Sequence, residues 1–149
     1  MKKLDIAKLF DISSPLFFSI ATDMPNNMQN ENIKYWLALT HVDGVGSAGT
    51  RILLDACGSP RDVFAATSER LKSIPGIGRK TASRIKEFKD WKWVEQELEK
   101  AEKSNVAIMT CHDPGYPQRL LNIYDYPPLL YVRGELKPED VHIAVVGSR

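Results

Sequence analysis

Residues 74–85, IPGIGRKTASRI, decide how the chain reads. They join a two-glycine turn to a helix start, with three cations, Arg79, Lys80 and Arg84, around the junction. Pro75 with Gly76 and Gly78 makes a bend that a chain bearing Cβ atoms resists, since glycine enters positive φ at no steric cost. From Arg79 onward the residues read as a helix. Its first amides lack intrahelical acceptors and point outward with the positive end of the helix dipole. Such an end suits an anionic phosphate oxygen, and Arg79, Lys80 and Thr81 stand beside it. The stretch reads as a phosphate clasp.

This spacing of glycines and apolar positions resembles a helix-hairpin-helix element, the sequence-independent binder of the DNA backbone found in many repair and recombination proteins. A weaker copy lies upstream in VDGVGSAGTRILLDACG, residues 42–58. Gly44 and Gly46 match Gly76 and Gly78, Thr50 stands where Ala82 does, and Leu53 where Ile85 does. A constant interval of this kind fits two successive hairpin units around a shared core. The first copy has Ser47, Ala48 and Gly49 where the second has Arg79, Lys80 and Thr81. It is therefore read as mainly structural, and the second as the contact surface.

The charge distribution agrees. The 149 residues carry a formal net charge of +1. Residues 70–92 hold 8 Lys and Arg against 2 Asp and Glu, while both flanks are net negative. Positive charge gathered on one segment of a mildly acidic chain is the electrostatic footprint of a nucleic-acid surface. With 43% hydrophobic and 26% charged residues the composition is that of an ordinary soluble protein, and no apolar run is long enough to span a bilayer. Cys57 and Cys111 lie far apart, and the short apolar run PLFFSIA is preceded by Asp5 and Asp11, which spoils a signal peptide. The expectation is a cytoplasmic protein with reduced thiols.

Outward from the glycine stretch, residues 1–30 read as a poorly ordered leader, with the polar tract MPNNMQNEN favouring loop. Met1, Met24 and Met28 are all candidate starts. A helix is expected from Asn32, with Ile33, Trp36, Leu37 and Thr40 on one face and His41 at its end, facing the C-terminal dipole. Gly58 closes the next helix, Ser59 and Pro60 open another, and Thr67 or Ser68 caps the one that enters the second turn. Trp91, Val94, Leu98 and Ala101 keep helical spacing opposite a solvated face of Glu95, Glu99, Glu102 and Lys103, with Asn105 as the stop.

Residues 31–104 are thus expected to form a helical domain. At about residue 105 the composition changes. VAIMT, PPLLYVRG and HIAVVGSR read as strands and YPQRLLNI as a short helix, so an α/β domain is expected over residues 105–149. The apolar strand IAVVG calls for cover on both faces, as in a parallel sheet, and the chain is read as the front part of a longer protein. The fold class expected is α+β overall.

The segment DPGYPQRLLNIYDYPPLLYVRGEL followed by HIAVVGSR resembles the DNA-processing protein A family, DprA or Smf. The match joins Asp113, Tyr116, Pro117 and Leu120 to the strand from Pro127 to Tyr131, then to Gly134 and the turn of Gly147, Ser148 and Arg149. The WLAL run at Trp36, VDGVG, and Cys57 to Pro60 also fit, so the resemblance covers the chain from about Asn32 to its end. It implies a sterile-alpha-motif-like (SAM-like) helical domain followed by a Rossmann-like domain, of which only the start is present. It further implies a non-enzymatic protein that binds single-stranded DNA and helps load the RecA recombinase in natural transformation, with a homodimer only in the full-length protein. Gly147, Ser148 and Arg149 are carried over as DNA-contacting residues.

No catalytic residue, cofactor or metal is assigned. No G-x-G-x-x-G pattern follows the last strand. Cys111, His112 and Asp113 stand together, but neighbours on an extended segment point to opposite sides and no second ligand pair has suitable spacing. Trp91, Trp93, Tyr124 and Tyr126 could stack on bases, although core packing explains Trp91 more simply. Two other readings stand beside the leading one. The helical part could be a protein-interaction module, or the helix-hairpin-helix accessory part of a DNA repair enzyme.

Overall fold

The computed structural model describes residues 26–136, with side chains from residue 32 onward. The chain divides into two units, Met1–Glu31 and Asn32–Arg149. The expected strand HIAVVGSR, and with it Gly147, Ser148 and Arg149, lies outside the described residues, as does the leader up to residue 25.

Among the described residues six helices come first: α1 Asn26–His41, α2 Gly46–Cys57, α3 Pro60–Ala65, α4 Ser68–Ser73, α5 Arg79–Lys86 and α6 Trp91–Lys103. Two short strands follow, β1 Ala107–Thr110 and β2 Leu129–Val132, with a single 3-10 turn at Leu120–Asn122 between them. The architecture is α+β.

Local chemistry sets most of the boundaries. Gly58 at φ +93 ends α2, its N–H donating to the Leu54 carbonyl at 2.7 Å. Ser59 caps α3 by accepting from the Asp62 N–H, with Pro60 in the first turn. Thr67 does the same for α4 through the Arg70 N–H. Asn105, at φ +51, stops α6. The N–H of Val106 returns to the Ala101 carbonyl and that of Asn105 to Glu102, which satisfies two carbonyls at the helix end. Two boundaries depart from expectation. α1 begins at Asn26, within a tract whose composition reads as loop, because a nucleated helix extends at little cost per residue. The expected helix in YPQRLLNI shrinks to a 3-10 turn. Its bonds run from Leu120, Leu121 and Asn122 back to the carbonyls three residues earlier, and such geometry does not propagate.

The core obeys the repeat. Leu39 and Leu71, Val42 and Ile74, Val45 and Ile77, Thr50 and Ala82, and Leu53 and Ile85 are all buried, each pair 32 positions apart. Burying each of the larger side chains contributes about 1.5–3 kcal/mol. Thr50 is the polar member, and its hydroxyl donates to the Gly46 carbonyl at 2.8 Å.

The turns lock reciprocally. A Cβ on Gly76 would stand 3.0 Å from Ile52 Cδ1, and a Cβ on Gly44 3.1 Å from Arg84 Nη1. Ile52 and Arg84 are equivalent positions of the two copies. Each turn therefore rests, through its first glycine, on the helix that follows the other turn.

β1 and β2 pair antiparallel, Ala107 opposite Val132 and Thr110 opposite Leu129. Cys111 extends the pairing by donating to the Pro128 carbonyl at 3.0 Å. Cys111 and Tyr116 lie in the same buried cluster as the two turns, so this segment shares its core with the helices. The Tyr116 hydroxyl donates to the Pro127 carbonyl at 2.6 Å, and burial above all pushes its pKa up to about 12. Tyr131 is also pushed up to about 12, by burial first and then by the charge of Glu97.

A graded glycine series tests the locking. Gly76→Ala, strained at φ +88 and meeting Ile52, is expected to cost about 1–3 kcal/mol in denaturant unfolding. Gly46→Ala has the strain at φ +59 but open space and should cost less. Gly78→Ala, at φ −73 with open space, should cost at most about 1 kcal/mol. An alkaline titration tests the tyrosines. An unfolded phenol loses its proton near pH 10, whereas the folded Tyr116 and Tyr131 phenols hold theirs to about 12. The unfolded state then binds fewer protons, so stability is intact below pH ~10 and falls as pH rises towards ~12. Tyr116→Phe should flatten that fall in thermal melts.

Candidate nucleic-acid interface

The second turn is built to leave one helix end open. Ile74 and Ile77 are buried and anchor it, and the Ile77 N–H closes it on the Ile74 carbonyl at 3.0 Å. Pro75, Gly76, Gly78, Arg79 and Lys80 are exposed. Gly76 takes the positive φ, whereas Gly78 does not: it is the extended N-cap residue of α5, at φ −73 and ψ 158. The role expected of Gly78 in the bend is thereby corrected. No contact within the chain excludes a Cβ there. What its absence provides is an unshielded approach to the amides of the first turn of α5. Among the described residues no side chain caps that end, and the first amides of a helix have no intrahelical acceptors and carry the positive pole of the dipole.

The remaining cations divide by use. Among the described residues Arg79 and Lys80 take part in no ion pair. Arg84 points the other way, its Nη1 lying 2.8 Å from Asp43 Oδ2 and donating to the Asp43 carbonyl at 3.2 Å. Thr81 likewise faces the first turn, its Oγ1 being 3.6 Å from where a Gly44 Cβ would stand. Lys86 Nζ donates to the carbonyls of Phe64 and Ala66, and Arg70 to that of Ala56. Part of the positive charge that the sequence concentrates here is therefore used to tie helix ends together. Of the site residues read from this stretch, Gly76, Gly78, Arg79 and Lys80 share the open end, while Thr81 and Arg84 brace the two turns.

The first turn is a poor anion site. Asp43 occupies the position of Pro75 and exposes a carboxylate. Gly46 there starts α2 at φ +59, behind Val45 in helical geometry. The sequence alone does not reveal the pairing of Asp43 with Arg84, because the two residues belong to different copies.

The aromatic and reactive side chains also find places. Trp91 packs edge-on to Tyr35 and Phe88. Trp93 stacks on His41 with centroids 3.7 Å apart, and His41 Nε2 stands 4.0 Å from Asp90 Oδ2. Asp113 accepts the Thr110 N–H at 2.6 Å and shapes the turn after β1. The ring of His112 meets Trp36 edge-on at 5.1 Å. Cys111 is buried, and burial pushes its thiol pKa up, the opposite of what a nucleophile needs. No helix among the described residues is long and apolar enough to cross a membrane.

Two family models match the chain. The SAM-like helix-hairpin-helix tandem covers residues 37–88, and DNA recombination-mediator protein A covers residues 107–149. Protein Smf of Synechocystis sp. is 29% identical over 127 residues, which is 82% of this chain and 32% of that protein. The chain thus spans about a third of the length of that curated relative. UvrABC system protein C of Beutenbergia cavernae is 43% identical over 47 residues, 32% of this chain and 7% of that protein. No solved structure matches. A tandem of hairpins leading into a recombination-mediator segment, with Protein Smf aligned along 82% of this chain, supports the resemblance of the chain to the DNA-processing protein A (DprA/Smf) family.

Proposed function

We propose that the chain is the front of a non-enzymatic recombination mediator that holds single-stranded DNA by its sugar-phosphate backbone and helps place RecA on it in natural transformation. The observation that carries this reading is the end of α5, where among the described residues no side chain caps the first amides and Gly78 is followed by Arg79 and Lys80, which take part in no ion pair. A phosphate oxygen at that end accepts from the amides while the two cations neutralise its charge. Nothing in this grip reads a base, so binding is sequence-tolerant and weakens with salt as counterions return to the strand. The match of residues 107–149 to a recombination mediator supports the same assignment.

On this reading a cytoplasmic protein continues into a Rossmann-like domain from about residue 105. Gly147, Ser148 and Arg149 form a second phosphate contact there, and the homodimer surface belongs to the full-length protein. A second reading is favoured by the similarity to UvrABC system protein C: the hairpin tandem is then the DNA grip of a repair enzyme, and oligonucleotide cleavage is its signature.

Fluorescence anisotropy of a labelled single-stranded oligonucleotide, titrated across a salt series, tests the proposal. Arg79→Ala and Lys80→Ala should each lower affinity several-fold and reduce the slope of log K against log salt by about 0.7 for each phosphate no longer neutralised. Gly78→Ala should weaken binding with little change in thermal midpoint. Arg84→Met should lower the midpoint and leave the salt slope alone, and Arg149→Ala should weaken binding independently. An Arg79→Ala, Lys80→Ala double variant that binds with wild-type affinity and slope rejects the turn as the DNA-binding element.

A further inference from the structure

Away from the turn, α2 presents an arginine to an exposed aromatic loop. Arg51 Nη1 donates to the Tyr124 carbonyl at 3.0 Å, and its guanidinium carbon lies 5.1 Å from the centroid of the Tyr124 ring and 6.0 Å from that of Tyr126. Tyr124 is nonetheless 76% exposed, with Ile123 beside it at 47%. A ring that exposed contributes little to the core, yet the hydrogen bond to its own carbonyl and the cation beside it fix where it stands. The helix that carries Arg51 also supports the phosphate turn: Ile52, its chain neighbour, is the residue on which Gly76 rests.

We infer that Tyr124, held by Arg51, is a stacking platform for a nucleobase of the same single strand whose phosphates sit at the turn before α5. The inference rests on the function proposed above and adds to it an interaction that the turn cannot make. Phosphate binding leaves bases free, and a fixed, solvent-facing phenol ring beside a cation is what an unpaired base stacks on, whatever its identity. Arg51 keeps further N–H donors for an adjoining phosphate. A duplex keeps its bases stacked on one another, so this platform discriminates in favour of single strands.

The test compares two labelled strands of equal length and charge in anisotropy titrations with the full chain: an oligothymidylate, and an abasic strand with the same backbone. Tyr124→Ala should lose roughly tenfold or more on the oligothymidylate, change nothing on the abasic strand and keep the salt slope. Tyr124→Phe should bind like wild type, and Lys80→Ala should weaken both strands. Thermal melts check that the exposed substitutions leave the fold intact. Wild-type affinity of Tyr124→Ala for oligothymidylate, or equal losses on both strands, overturns the platform while the Lys80 result leaves the turn standing. Failure of the unsubstituted chain to bind either strand overturns both.

Discussion

The structure depends on a reciprocal contact made possible by two missing Cβ atoms. Gly44 and Gly76 bend the chain at φ +85 and +88, and each leaves room for one side chain from the other copy's helix, Arg84 and Ile52. Because those side chains occupy the same position of the repeat, the contact sets both turns at once. A tilt of either hairpin presses its first glycine against the side chain it rests on, Arg84 or Ile52. Close packing in the interior below, from Leu39 and Leu71 to Leu53 and Ile85, makes that arrangement stiff.

The two copies of the repeat are not equal, and electrostatics distinguishes them. Ile52 fills its glycine niche with apolar surface. Arg84 brings a charge into the other niche, and Asp43 neutralises it at 2.8 Å. A carboxylate at the first turn repels phosphate from the end of α2. The same position in the second turn is Pro75, which is neutral, and among the described residues Arg79 and Lys80 after it take part in no ion pair. A charge is screened within about 8–10 Å at ordinary ionic strength, so a phosphate responds to whichever turn it touches. Net charge over the whole segment overstates the available field, since Arg70, Arg84 and Lys86 are already bonded within the protein.

What the sequence made legible was whatever chemistry acts over one or two turns. The 32-residue repeat, the caps at Gly58, Ser59, Thr67 and Asn105, and the apolar stripe of α6 all follow from local spacing and match the structure. Positions set across the fold were hidden. Gly78 looks like a bend residue because it follows Gly76, but only the backbone shows it extended. Arg84 looks like its exposed neighbours Arg79 and Lys80, but helical rotation carries it to the side that meets Asp43. Arg51 and Tyr124 are 73 residues apart, and no periodicity links them. The placing of Cys111 and Tyr116 in the helical core was likewise invisible, because strand composition signals a change of local structure and says nothing of which core the strand joins.

A turn that binds phosphate through amides must hold them still, since a flexible donor gives up much of its gain in entropy when the ligand arrives. The second turn is exposed from Gly78 to Lys80, and both cysteines are free thiols elsewhere in the chain. Its rigidity comes from Ile74 and Ile77 beneath it and from Ile52 behind Gly76. On the function proposed here, the first hairpin, unsuited to bind an anion itself, is what holds the second in position for a phosphate. That division gives a physical reason for the glycines and spacing of a copy with no cations at the start of its helix: its turn receives Arg84, and its helix presents Ile52. Support of this kind from residues that never meet the ligand is what positions a site to within a fraction of an ångström, and here one half of an internal repeat supplies it to the other.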